Sequence, residues 1–176
     1  MPLPLSVKGR SQARRAGIFL KKKNISLVFS SPQKRTQETA KIICQIIFKN
    51  KEGIIIDKKL RESGLGHFSE GLTHEDLSKK YPKVFRAYYR EPAKVKAGGE
   101  NLSAMAKRVL TAISKAVKKY PGKNLVFVSH QDPVLAALMK LSGKNFNELH
   151  QFKPLCPTGS VSEILFNGKK LINRIF

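Results

Sequence analysis

Two short segments, far apart in the chain, carry residue types suited to holding a tetrahedral oxyanion. One is Ser30-Ser31-Pro32 followed by Arg35, the other is Ser129-His130-Gln131. Each follows an apolar run, Ile25–Phe29 and Leu125–Val128, short enough to be a buried parallel strand. Ser31-Pro32 has the pattern of a helix N-cap with proline at the first helical position. A helix starting there offers free N–H groups and the positive end of its dipole. Arg35 lies one turn in, and helical side chains lean back toward the N-terminus, so its guanidinium can grip phosphate through two parallel hydrogen bonds. His130 adds a second donor, and the helix expected over Pro133–Leu141 adds more N–H groups, with Gln131 near its start. Alone, Arg35 reads as a solvated helix arginine, His130 as a hydrogen-bonded structural histidine and Ser-Pro as a helix start. Jointly, at strand ends, they read as a site, because ligands of open α/β sheets bind outside the carboxyl ends of the strands.

The elements that must position these residues alternate between helix and strand. Ser6 is placed to cap a helix through Ala13, Ala16, Ile18, Phe19 and Leu20, and the helix after Ser31 runs through Ile42, Ile43, Ile46 and Ile47. Ile54–Ile56 is a further strand. Leu60 to Gly99 is loop-rich, with helices near Thr73–Tyr81 and Lys83–Arg90, and Asn101–Lys119 is strongly periodic. Ser160–Phe166 and Lys170–Ile175 flank Asn167-Gly168, which predicts a terminal hairpin with a type I′ turn. The expected fold is α/β: one domain over residues 1–176, a three-layer α/β/α sandwich around a mostly parallel sheet.

The 176 residues, 41% hydrophobic, suit one compact domain. Cys44 and Cys156 show no metal or redox spacing and read as buried, reduced thiols, which suits a cytoplasmic protein. No stretch approaches the ~20 apolar residues of a membrane span, and the N-terminus has no signal-peptide pattern, so no membrane partner is expected. No metal or cofactor is expected either. His74 with Glu75 and Asp76 reads as a Thr73-led helix start, its acids near the dipole's positive end. The net charge of +22, from 34 Lys+Arg against 12 Asp+Glu, attracts phosphate-bearing partners, whether metabolites, nucleic acid or anionic surfaces. The lysines are scattered and carry no RNA-binding signature, so they read as a solvated surface rather than a nucleic-acid interface.

Five motifs in order then resemble the histidine phosphatase (phosphoglycerate-mutase-like) superfamily. Leu5-Ser6, Gly9 and Gln12-Ala13 are similar to its L-[ST]-x-x-G-x-x-Q-A segment, and Ser30 to Ala40 closely matches its S-S-P-x-x-R-T-x-x-T-A signature. Leu60-Arg61-Glu62 with Gly66, Gly98-Gly99-Glu100 with Arg108, and Val126 to His130 resemble three further family segments. The resemblance implies a phosphomonoesterase that works through a phosphohistidine, without a cofactor, on a phosphorylated small molecule. In that family a histidine in an Arg-His-Gly motif attacks phosphorus, a second arginine and a second histidine hold the phosphoryl oxygens, and a glutamate protonates the leaving oxygen. By motif match Arg35 is that arginine, His130 that histidine and Glu62 that acid, with Ser31 and Gln131 among the phosphate-binding positions. Glu100 competes with Glu62 as the acid. A mutase-type phosphotransferase and a non-catalytic phospho-ligand binder are the alternatives.

The Arg-His-Gly motif does not occur in the 176 residues. The expectation is therefore a chain incomplete at its N-terminus, through a reading frame that starts upstream or through degeneration. Losing an inner strand would unpair two neighbours, so the sheet should be unstable or close over the gap. His67, in the loop after Glu62, is a remote candidate to replace the nucleophile. The His67–Glu70 stretch between Gly66 and Gly71 is one residue longer than the family usually has, which bears on the leaving-group pocket.

Overall fold

The computed structural model describes residues 4–48, 53–62, 74–96 and 100–173. Helix α1 (Val7–Lys21) is capped by the Ser6 hydroxyl, which accepts the Gly9 N–H. It is followed by β1 (Ile25–Ser30), α2 (Lys34–Phe48) and β2 (Ile54–Ile56). A 3-10 turn (Lys58–Leu60) leads on, and α3 (His74–Lys80), α4 (Pro82–Arg90) and the long α5 (Leu102–Lys119) come next. The chain then forms β3 (Asn124–Val128), α6 (Gln131–Leu141), the short α7 (Leu149–Phe152) and a hairpin of β4 (Ile164–Phe166) and β5 (Leu171–Asn173).

β1 lies between β2 and β3 and pairs parallel with both, Val28 opposite Ile54 on one side and Val126 on the other. Side chains of a strand alternate faces, and every strand of this sheet is apolar on both, as a covered parallel sheet demands. Val28, Val126, Val128 and Ile54 pack with Leu20, Ala40, Ile43 and Cys44 of α1 and α2. Leu27, Phe29, Leu125, Phe127 and Ile55 pack on the other face with Val109, Ala112, Ile113 and Ala116 of α5 and Ala137 of α6. A register irregularity between Ile25 and Leu27 turns Ile25 to the Val28 face. Phe29 and Phe127, opposite each other in register, stack at 4.9 Å. The three-layer α/β/α arrangement is thus observed. No helix of the described residues is long and apolar enough to cross a membrane.

Three local details depart from the sequence reading. α2 begins at Lys34 rather than after Ser31: its first turn closes on the Gln33 carbonyl, which accepts the Gln37 N–H at 3.1 Å, while the Ser31 N–H bonds the Val128 carbonyl at 3.0 Å. The first hairpin strand is shorter than expected, starting at Ile164 rather than Ser160, and the loop is not a type I′ turn. Phe166 pairs directly with Leu171, leaving four loop residues, of which only Gly168 has positive φ. Asn167 instead accepts the Lys169 and Lys170 N–H groups through Oδ1. As the reading requires, β1 and β3 lie side by side, and the terminal hairpin forms a ladder of its own. Among the described residues the far edge of β3 has no strand partner.

α1 lies on α2 through Ala13, Ala16, Gly17 and Leu20. A Cβ on Gly17 would stand 2.8 Å from Ile46 Cδ1 and 3.4 Å from the Ile43 backbone. We predict that Gly17→Ala is near neutral, since the tip of Ile46 can swing aside while the helix loses a glycine. Gly17→Val should cost about 1–3 kcal/mol by overpacking, read as a lower urea midpoint at unchanged slope.

Candidate active site

Because β1 and β3 run parallel and side by side, the residues after both strands emerge at one edge. Ser30 and Ser31 are fully buried there, and His130 follows β3 as the N-cap residue of α6, itself 7% exposed. Thr36 Oγ1 donates to the Ser31 and Gln33 carbonyls and pins the turn into α2. Arg35, in the first turn, reaches back across the edge.

The imidazole of His130 is held at both nitrogens. Nδ1 lies 3.0 Å from Arg35 Nη2 and Nε2 lies 2.9 Å from Ser31 Oγ. A guanidinium can only donate, so Nδ1 must be the acceptor and the proton sits on Nε2, donated to Ser31. The Ser31 hydroxyl passes its own proton to Gln33 Oε1 at 2.7 Å, which also accepts the Glu62 N–H at 3.2 Å. This relay is consistent only with a neutral ring. Burial, reinforced by the Arg35 and Arg108 charges, lowers its pKa to about 3. The 3.5 Å approach of Glu62 Oε2 to Nδ1 is therefore not an ion pair. The Glu62 carboxylate faces the guanidinium of Arg35 at 3.6 Å.

Glu62, the acid by motif match, and its competitor Glu100 occupy different environments. Arg108 clasps Glu100 through Nε at 2.8 Å and Nη2 at 2.6 Å, both side chains almost buried, and Arg61 approaches it at 3.6 Å. The same guanidinium donates to the Lys59 carbonyl at 2.6 Å and the Glu62 carbonyl at 3.3 Å. Glu100 is thus the counter-ion that lets a buried arginine hold the backbone around Glu62. Ser129 Oγ donates to the Leu60 carbonyl and secures the same turn to the end of β3.

The structure brings Arg35, His130, Ser31 and Glu62 together. Gln131 stands beside them, but its side-chain amide donates to the Cys156 and Lys153 carbonyls, leaving only its main chain at the helix start. His67, Gly66, Gly98 and Gly99 lie outside the described residues. A polar cluster that no spacing in the sequence foretold packs against the same helix start. Tyr88 donates to Asp132 Oδ2 at 2.5 Å, Lys153 Nζ lies 2.6 Å from the Tyr88 hydroxyl and 3.1 Å from Asp132 Oδ1, and His150 Nε2 lies 2.9 Å from the Tyr88 carbonyl. Burial and the Asp132 and Glu62 charges hold the Tyr88 hydroxyl far above its ordinary pKa. Its residues come from α4, α6 and the segment around α7, so only tertiary contact assembles it.

The profile of the histidine phosphatase superfamily (branch 1) matches residues 1–174. Phosphoserine phosphatase 1 of Hydrogenobacter thermophilus is 33% identical over 161 residues, 91% of this chain and 74% of its own length. Phosphoglycerate mutase-like protein 4 of Arabidopsis thaliana is 35% identical over 133 residues, 74% of this chain and 56% of its own length. Among solved structures, Bacillus stearothermophilus YhfR superposes with a TM-score of 0.81 at 24% identity, covering 98% of this chain and 83% of that one. A mycobacterial glucosyl-3-phosphoglycerate phosphatase complexed with VO3 superposes at 0.77 and 23% identity, covering 99% and 86%. Both superpositions show the fold.

The buried neutral imidazole has a consequence for stability. An unfolded histidine titrates near 6.5 and the folded one near 3, so between those values only the unfolded chain carries the proton. Stability should therefore rise with pH through that window, and be lost as pH falls through it, by a few kcal/mol at about 1.4 kcal/mol per pKa unit. Urea unfolding from pH 3.5 to 7 should show a shallower dependence for His130→Asn than for the native sequence. Equal slopes would mean the ring is not held neutral.

Proposed function

Because this chain belongs to the histidine phosphatase superfamily, branch 1, we propose a phosphomonoester hydrolase that works through a phosphohistidine. The nucleophilic imidazole would come from an Arg-His-Gly segment that these 176 residues do not contain. The observation that carries the proposal is the convergence of Arg35 and His130, 3.0 Å apart at the joint edge of two parallel strands, with the Glu62 carboxylate 3.6 Å from the same guanidinium.

A phosphate dianion entering this edge draws Arg35 off Nδ1 into its own bidentate pair. Nδ1 can then take up a proton and turn to the anion, because a nearby negative charge favours imidazolium. The α6 N-terminus, with the Gln131 N–H, adds uncharged donors, while Ser31 keeps its bond to Nε2 of the ring. The same event prepares Glu62: losing Arg35 as partner and gaining a dianion as neighbour both raise a carboxyl pKa, which suits a general acid. As the phosphorus–oxygen bond to the alcohol breaks and the bond to the nucleophilic nitrogen forms, Glu62 donates its proton to the leaving oxygen. The resulting carboxylate then takes a proton from the water that hydrolyses the phosphohistidine. Such a site works by positioning and charge neutralisation. The substrate class is a phosphorylated small molecule. The similarity to a phosphoserine phosphatase over 91% of the chain favours hydrolysis over mutase-type transfer.

The chain should bind sulfate, which stays a dianion throughout the useful pH range, more tightly as pH falls from 7 to 5, because binding takes up a proton at His130. Arg35→Ala should abolish that binding in calorimetry, and binding that survives it would sink the assignment. Extending the chain at its N-terminus to an Arg-His-Gly segment should confer hydrolysis of p-nitrophenyl phosphate. An extended protein that binds sulfate yet never turns over would instead make it a phospho-ligand binder. In the active form Glu62→Gln should slow turnover by about 10²–10⁴-fold, most for esters with poor leaving groups. Glu100→Gln should act through stability, at about 3–5 kcal/mol for breaking a buried pair, with no leaving-group dependence.

A further inference from the structure

The positive charge outside the site is not evenly spread. The first 37 residues contain no acid, and α1 with the turn after it carries Lys8, Arg10, Arg14, Arg15, Lys21, Lys22 and Lys23, all exposed. The ion pairs of this face are Arg10 with Glu38 at 3.3 Å and Lys23 with Glu163 at 3.8 Å. Among the described residues Lys8, Arg14, Arg15, Lys21 and Lys22 have no carboxylate partner. The helix presents large apolar side chains between these cations: Val7 is 85%, Ile18 59% and Phe19 52% exposed. Their positions are not random. Val7, Ser11, Arg14, Ile18 and Lys22 recur at the helical period and form the stripe opposite the buried Ala13, Ala16, Gly17 and Leu20. Folding therefore needs one side of α1 and leaves the other as a flat face about 20 Å long, cationic at its margins with apolar side chains along it.

We propose that the outward face of α1 docks onto an anionic lipid bilayer. Basic side chains near an anionic membrane are attracted by its surface potential, and apolar side chains on the same face enter the headgroup boundary. The geometry favours a bilayer over nucleic acid for two reasons. Val7 and Ile18, on its central stripe, are aliphatic and offer no donor to a phosphate or a base edge, whereas a headgroup boundary buries them. The aromatic ring of the face, Phe19, is overlaid by Lys23 Nζ at 5.5 Å, which occupies the surface a base would stack on. A planar anionic surface needs neither. Since α1 leads directly into β1, its Lys21 end lies at the sheet edge opposite Ser31 and His130, and its Val7 end lies toward them.

The chain has no tryptophan, so Phe19→Trp creates a single fluorescent reporter in the proposed contact. With vesicles of phosphatidylserine and phosphatidylcholine its emission should shift to the blue and become shielded from iodide, and pure phosphatidylcholine should do neither. Arg14→Gln/Arg15→Gln/Lys22→Gln should weaken co-sedimentation with the anionic vesicles about tenfold or more. Lys115→Gln/Lys118→Gln/Lys119→Gln, three exposed cations of α5, removes the same charge elsewhere and should change it less than threefold. Equal losses from the two triple variants would show a response to net charge alone and overturn the proposal. So would unshifted emission from the Phe19→Trp variant on anionic vesicles, or saturable oligonucleotide binding through α1 without vesicle binding.

Discussion

The hydrogen bond from the Ser31 N–H to the Val128 carbonyl is the last rung of the β1–β3 ladder, and the rest of the site hangs from it. It extends strand pairing one residue beyond β1, so the Ser31 hydroxyl and the imidazole of His130, 99 positions apart, come within 2.9 Å. Past Ser31 the chain turns into α2, which starts at Lys34 and so places Arg35 in its first turn, 3.0 Å from the ring. A parallel pair needs a long crossover between its strands. Here that crossover carries α2, β2, the Glu62 turn and α5, and so brings the remaining groups to the same edge.

Two arginine–glutamate pairs at that edge have divided tasks. Arg108 and Glu100 neutralise each other in a bidentate pair and hold backbone carbonyls. Arg35 and Glu62 are less buried, at 39% and 22% side-chain exposure, and stand 3.6 Å apart without a bidentate bond. The first pair is costly to disturb because each member would be stranded in low dielectric. The second can part when a ligand offers Arg35 a better partner. A neutral His130 between them completes the balance, since an imidazolium beside Arg35 would repel the group it must cooperate with.

Charge elsewhere follows a different logic. At the site a handful of ions are fixed by geometry, whereas on the surface a large excess of cations is tolerated because water screens each one. What distinguishes α1 from the other cation-bearing helices is that three large apolar side chains, Val7, Ile18 and Phe19, stand more than half exposed among its cations. Net charge, a single number, cannot carry that distinction.

The sequence by itself determined which segments are strands and helices wherever the hydrophobic period was strong, as in Ile25–Phe29, Asn101–Lys119 and Leu125–Val128. It also named Arg35, His130, Ser31 and Glu62, because strand ends followed by helix starts, and then the family's motifs, mark such residues locally. It did not foresee that Glu100 would pair with Arg108, that Gln131 turns its amide to the Cys156 carbonyl, that Asn167 would cap its loop with its own side chain, or that Tyr88, Asp132 and Lys153 would meet. Those outcomes depend on which partner each polar group finds after burial, and for Gln131 and the Tyr88–Asp132–Lys153 cluster the partners lie between 21 and 65 residues away. Local pattern specifies the elements, whereas the pairing of polar groups across them is decided only once packing has removed water as the competitor.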